Sequence, residues 1–280
     1  MAGTITITSP LGSQYKVNND DIALTDVYRL RICSLPDGRQ AILKIVLDAK
    51  DNGVLDREAF LLKTMRDESD SVEKEYSEKF PGKIPLNYHF CFPQVVETFV
   101  LPDYENRRAT VLAFHDIIPS GKIPDLVPLS FITERHKLRV DPRTSAWIMG
   151  KLLKMLVFTQ SVNVTVGDLS ADNILINRDQ HYVAVFDWTA ATIGAVPMTE
   201  SKAKEEISEV AQAVLEVLGA DRSTGKLVAD EQLADSQYED LLRDLSEGKE
   251  SDPKVAHSRF YKLIRSIWPR KFHPFAGYPI

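Results

Sequence analysis

The chain has only two cysteines, Cys33 and Cys91. A disulfide framework needs more of them, and a zinc site needs them in closely spaced pairs. Each sits in an apolar run, so both are expected as small core residues. The histidines are scattered without an HxxxH or HExxH pair, which removes the helical metal motifs. No apolar run approaches the roughly 18 residues of a membrane-crossing helix. The N-terminus, MAGTITITSPLGSQYKV, has no basic stretch, so it reads as a strand pair and not a signal peptide. The cytoplasm is the default location. A basic surplus is missing too: formal net charge is −6 and the pI about 5.6. Proteins that grip phosphate backbones gather lysine and arginine, so nucleic acid is not an expected partner.

The remaining composition is that of an ordinary globular protein. With 280 residues, the chain can bury a sizeable core as one large domain or as a two-lobed unit with a cleft. Residues 4–8 and 14–17 read as strands around a Ser-Pro-Leu-Gly turn. Residues 27–32 and 40–47 are the clearest strands, joined by the Pro36-Asp37-Gly38 turn, where proline presets one dihedral and glycine accepts the other. Residues 54–65 carry apolar side chains at helical spacing. The charged run 66–79 is expected as a solvated helix end and loop. Two more strands follow at 95–101 and 110–114.

The texture changes near Pro119. Residues 142–160 form a long apolar-periodic helix with Asp141 as its N-cap. Short strands are expected at 174–176 and 182–186, and helices at 204–218, 235–245 and 254–267. A sheet-rich first half and a helical second half make an α+β layout. The expected boundary divides the chain into residues 1–116 and 117–280, with a hinge between Ala113 and Asp116.

The sharpest chemical signal is the segment VGDLSADNILI, residues 166–176. Asp168 is followed five positions later by Asn173, then by a short apolar strand. Asp187 comes eleven residues after that strand, itself ending the strand that carries Val185 and Phe186. Asp and Asn also favour turns and caps, so this segment alone leaves a structural role open. Upstream, the apolar strand AILKIV places a single lysine, Lys44, in a run where a strand-edge role would be ordinary. Glu58 lies fourteen residues further on, in the helix.

These four elements, in this order, resemble the protein-kinase-like superfamily, which includes protein kinases, aminoglycoside phosphotransferases and choline-kinase-like enzymes. The resemblance covers roughly residues 15–220. It implies a bilobal fold, with a small antiparallel-sheet N-lobe carrying one helix and a larger helical C-lobe. It implies ATP and Mg2+ as cofactors and a hydroxyl of a protein or small molecule as acceptor. By resemblance, Asp168 would accept the proton of the attacking hydroxyl, and Asn173 and Asp187 would hold magnesium. Lys44 would contact nucleotide phosphates, with Glu58 fixing its position. Ala113 and His115, at the hinge, would lie beside the nucleotide. Glu206 stands where the family usually has Asp at the start of a central helix.

Several positions depart from the pattern. The family places glycines between Val17 and Val27, and this chain has NNDDIALTD. One carboxylate about 6 Å from a phosphate charge costs roughly 3 kcal/mol at an effective dielectric of about 20. That weakens binding roughly a hundredfold, so the direction of Asp20 and Asp21 matters. Val166 replaces a supporting histidine, and Ser170 replaces a lysine that helps neutralise the transferred phosphate. Trp188-Thr189 follows Asp187, as in small-molecule kinases, and the stretch from Asp187 to Glu206 is short. An alternative follows from these losses: a pseudokinase that binds and regulates without turnover, with a possible protein partner. The C-terminal bases and aromatics are expected as a helix packing Ile264, Ile267, Trp268 and Phe272 onto the helical half.

Overall fold

A computed structural model describes residues 3–114, 126–221, 236–268 and 271–280. The described residues of Met1–Pro85 and Phe92–Asp125 cluster into one compact unit, and those of Leu86–Cys91 and Leu126–Ile280 into a second. The architecture is α+β.

The first unit is built on one antiparallel sheet. Its strands are β1 (Thr4–Thr8), β2 (Gln14–Leu24), β3 (Tyr28–Ser34), β4 (Gln40–Val46), β5 (Gln94–Leu101) and β6 (Arg107–Ala113), in the spatial order β1-β2-β3-β4-β6-β5. The early hairpins follow from their turn residues: Gly12 and Gly38 both adopt positive φ, which glycine tolerates without a Cβ clash. One face of the sheet carries an apolar core that includes Tyr15, Val17, Cys33, Leu43, Ile45, Phe99 and Val111. Cys33 and Cys91 are both buried, and burial pushes both thiols up, Cys33 to about 12.

Two sequence expectations change here. The strand expected over 14–17 runs on to Leu24, through the residues read as a loop. The helix expected over 54–65 is α1 (Asn52–Lys79), so the charged run 66–79 is helical. Half of its residues are Arg, Glu and Lys, which favour helix, no proline interrupts them before Pro81, and Arg66 pairs with Asp70 one turn on. An apolar stripe is not required where the helix stands in solvent. The first half of α1 buries Leu55, Glu58, Ala59, Leu62 and Met65 at helical spacing and packs against β5 and β6.

The second unit is mainly helical. After β7 (Val127–Pro128), α2 (Leu129–Glu134) and β8 (Leu138–Val140) comes α3 (Pro142–Ser161), its most buried helix. Asp141 caps α3 as expected, accepting from the Arg143 and Thr144 amides at 2.7 and 3.0 Å. The strand β9 (Val164–Thr165) leads into the Asp168 segment, and β10 (Ile174–Asn177) and β11 (Tyr182–Val185) form the hairpin beyond it. β12 (Thr192–Ile193) returns to pair with β9. α4 (Glu200–Val217) and α6 (Pro253–Ile267) pack on α3, and α5 (Ser236–Ser246) packs on α4.

The last strand, β13 (Gly277–Pro279), pairs with β8. Trp268 meets Tyr238 edge-on with ring centroids 5.4 Å apart. Phe272 departs from expectation: it is 75% exposed and stacks on His181, which stacks in turn on Trp147. Among the described residues, no helix is long and apolar enough to cross a membrane.

Candidate functional site

The candidate residues fall in two groups, one in each unit. In the second unit, the β10–β11 hairpin brings Asn173 and Asp187 together. Ile174 faces Val185 in its register, so the residues just outside the pair, Asn173 and Phe186, also meet. The Phe186 amide donates to the Asn173 carbonyl at 3.1 Å. The Asn173 side chain then joins two segments. Its Nδ2 donates to the carbonyls of Asp168 and Asp187, both at 2.9 Å, and its Oδ1 accepts from the Asp187 amide at 2.7 Å. Asp168 and Asp187 are thereby fixed to one side chain that is only 6% exposed.

Both carboxylates are partly exposed. Each accepts from the backbone two residues on: Asp168 from Ser170 at 3.0 Å and Asp187 from Thr189 at 3.0 Å. These are Asx-type turns, in which a short carboxylate organises its own loop. The neighbouring Trp188 is buried and donates Nε1 to the Val185 carbonyl at 2.9 Å, anchoring the strand end behind Asp187.

Beneath this loop sits Glu206 of α4. Its Oε1 accepts from the backbone amides of Val166 and of Gly167, the latter at 3.3 Å. Gly167 has φ +84°, and a Cβ there would meet the Ala190 carbonyl oxygen at 2.6 Å. Only glycine fits, and that fixes the bend delivering Asp168. Burial pushes Glu206 up to about 7, against the lowering effect of its two backbone donors. One turn further along α4, burial also raises Glu209, with the Glu205 and Asp168 carboxylates pushing the same way. Glu209 accepts from the Leu169 amide, and sequence reading missed it because a helix charge carries no signal of what it faces.

In the first unit, Lys44 and Glu58 meet. Lys44 Nζ lies 2.8 Å from Glu58 Oε1, and both side chains are 0% exposed. β4 supplies the lysine and α1 the glutamate. Tyr28, at the first position of β3, covers the ammonium: Nζ is 4.0 Å from the ring centroid. Its sequence signal was parity. Tyr28 faces Val46 and Leu30 faces Lys44 across the β3–β4 register, so Tyr28 and Lys44 share a sheet face.

The same parity locates Asp21. Arg31 pairs with Leu43, and Asp21 pairs with Arg31. Asp21 is therefore on the face opposite Lys44. Its carboxylate is also engaged: Arg31 Nε lies 2.7 Å from one oxygen, and Arg29 3.7 Å from the other. Asp20 is exposed and lies where β2 bulges, between the Val17–Cys33 and Asp21–Arg31 pairs. The Ala113 methyl is part of the apolar core of the sheet. His115 lies outside the described residues.

No protein-family model and no curated protein matches the sequence. Among solved structures, the chain is similar to one described as the structure of vaccinia related kinase 3. The likeness covers 95% of this chain and 92% of that chain at 14% identity, with a TM-score of 0.62. At that identity it establishes the fold: this is a protein-kinase-like fold.

Proposed function

Proceeding from a protein-kinase-like fold, we propose that this chain is a phosphotransferase that moves the γ-phosphoryl group of ATP to a hydroxyl. The observation that carries the reading is the Asn173 side chain, which holds the Asp168 and Asp187 segments together through three hydrogen bonds. Asp168 receives the proton of the acceptor hydroxyl while the new oxygen–phosphorus bond forms and the bond to the ADP oxygen breaks. Its carboxylate keeps one oxygen on the Ser170 amide, which orients the other. Asn173 and Asp187 present an amide oxygen and a carboxylate, hard donors that suit magnesium. Asp187, and Asn173 through the lone pair left beside its bond from the Asp187 amide, would hold magnesium, which would neutralise phosphate charge. Lys44, oriented by Glu58, is the phosphate-holding lysine. The early return of β12 onto β9 and the start of α4 at Glu200 leave little chain after Asp187 for a peptide platform. That favours a small-molecule acceptor over a protein serine or threonine.

A second reading has one specific observation behind it. Lys44 is sealed, with an aromatic ring over its ammonium. A kinase-shaped regulatory module without turnover would look the same at this position. A thermal-shift titration with ATP, with and without magnesium, separates the readings when combined with ATP turnover on a panel of hydroxyl acceptors. A magnesium-dependent shift lost in Asp187→Asn, with turnover lost in Asp168→Asn, is the expected result. No stabilisation at millimolar ATP would sink the enzyme reading.

A further inference from the structure

The turn between β2 and β3 stands where the nucleotide loop was expected to carry glycines. It is instead held by one side chain. Thr25 Oγ1 accepts from the amides of Val27 and Tyr28 at 3.2 and 3.0 Å and donates to the Tyr28 carbonyl at 3.1 Å. The Thr25 amide donates to that same carbonyl at 2.9 Å. Four hydrogen bonds thus fix a short turn, and three of them end on Tyr28.

Tyr28 is the residue whose ring lies 4.0 Å from Lys44 Nζ. It is 7% exposed, while Thr25 and Asp26 are exposed and Val27 is half-buried. The turn therefore has one end in solvent and the other over a buried ammonium. A phosphate needs several ångströms of clear approach to an ammonium that it neutralises, and the ring occupies one such approach.

We propose that Thr25 and Tyr28 form an autoinhibitory gate on Lys44: the threonine clamps the turn, and the tyrosine ring closes the lysine until the turn opens. This rests on the reading of Lys44 as the phosphate-holding lysine. Opening requires the end of β3 at Tyr28 to lift from its pairing with Val46, carrying the ring off the ammonium. The Thr25 clamp resists that motion, because the backbone of Tyr28 cannot shift without breaking its bonds to the hydroxyl. A cation–π contact shielded from water holds the closed state by about tenfold or more in the equilibrium.

Two readouts test the gate, and only one depends on nucleotide. The first is the labelling rate of Lys44 by acetic anhydride, read by mass spectrometry on the full chain. Lys44 is expected to be protected in the wild type and in Tyr28→Phe, which keeps the ring. In Tyr28→Leu, which keeps apolar bulk without the ring, and in Thr25→Ala, labelling is expected to rise about tenfold. Leu30→Ala serves as the control: it thins the same face opposite Lys44 and leaves the turn intact, so it should not match Tyr28→Leu. The second readout is the stabilisation by ATP and magnesium, which should strengthen in Tyr28→Leu. Equal Lys44 labelling in the wild type and Tyr28→Leu overturns the gate, as does a Leu30→Ala rate that matches Tyr28→Leu. Raised labelling without any ATP stabilisation keeps the gate and removes the nucleotide reading instead. Unchanged labelling in Tyr28→Leu alongside strong wild-type ATP binding removes the gate and keeps the nucleotide reading.

Discussion

Lys44 and Glu58 hold each other, whereas Asp168 and Asp187 are held by the backbone and by Asn173. The first pair is wholly buried at 2.8 Å. Each member faces the other's charge, so removing one alone takes a charge partner from a buried group. In the second group the carboxylates stay partly exposed, and their organising bonds come from Ser170, Thr189 and the Asn173 amide. The Ser170 and Thr189 amides donate to one carboxylate oxygen of each acid, and the Asn173 side chain donates to the backbone carbonyls of both residues. The backbone donors orient the two carboxylates within their loops. The difference teaches that one region is held by the mutual burial of opposite charges, and the other by hydrogen bonds that order its loops.

The largest expected effect is chemical. Asp168→Asn should lower phosphoryl transfer by about 10²–10⁴-fold in a turnover assay, with the melting temperature nearly unchanged. The asparagine Oδ1 can still accept from the Ser170 amide. Turnover within a few-fold of wild type would show that Asp168 is not the base and would break the comparison on its active side.

Lys44→Met comes next, and it addresses the other region. It should destabilise the fold by about 3–5 kcal/mol in urea unfolding, because the buried Glu58 loses a charge partner. The double variant Lys44→Met with Glu58→Gln should recover part of that loss. A loss under about 1 kcal/mol would place the pair among ordinary surface ion pairs and erase the contrast.

Glu206 sharpens the comparison from beneath the Asp168 loop. Its folded pKa is raised from 4.5 to about 7. A raised carboxyl binds its proton better in the folded state, so its stabilising contribution is full below pH 4.5 and is lost as pH climbs through 7. The swing is about 3 kcal/mol. Glu206→Gln, which keeps an acceptor for the Val166 and Gly167 amides, should therefore flatten the stability profile between pH 4.5 and 8. The variant should gain on the wild type toward pH 8. Parallel profiles for the two proteins across that window would contradict this.

The smallest effect belongs to Asp21. Asp21→Asn should cost about 0.5 kcal/mol, the scale of a partly exposed ion pair, and should leave ATP stabilisation unchanged. A marked gain in ATP affinity would mean that Asp21 opposes the phosphates after all, contrary to its sheet face.

Much of this was legible in the sequence. The strand and helix order followed from periodicity, and the Asp141 cap and the Pro36-Gly38 turn from local chemistry. Spacing singled out Asp168, Asn173 and Asp187, and the β10–β11 hairpin explains why their segments lie together. The second half of α1 was misread because a solvated helix has no apolar stripe to count. The run 18–24 was misread because its polar residues hide a strand whose register is set by β1 and β3, not by its own pattern. The contact of the Tyr28 ring with Lys44 was not legible, because it depends on what a strand residue packs against.

The sequence by itself determined the order of elements and the identity of the polar groups. Local periods and turn residues encode those directly. The tertiary structure alone decided which face each group takes. Asp21 turns away from Lys44 and Tyr28 turns onto it because strand pairing fixes side-chain parity across the sheet, and bulges shift that parity by single residues. The same holds for the buried Lys44–Glu58 pair: fourteen residues of sequence separate the two, and only the packing of α1 on the sheet puts them 2.8 Å apart and out of water.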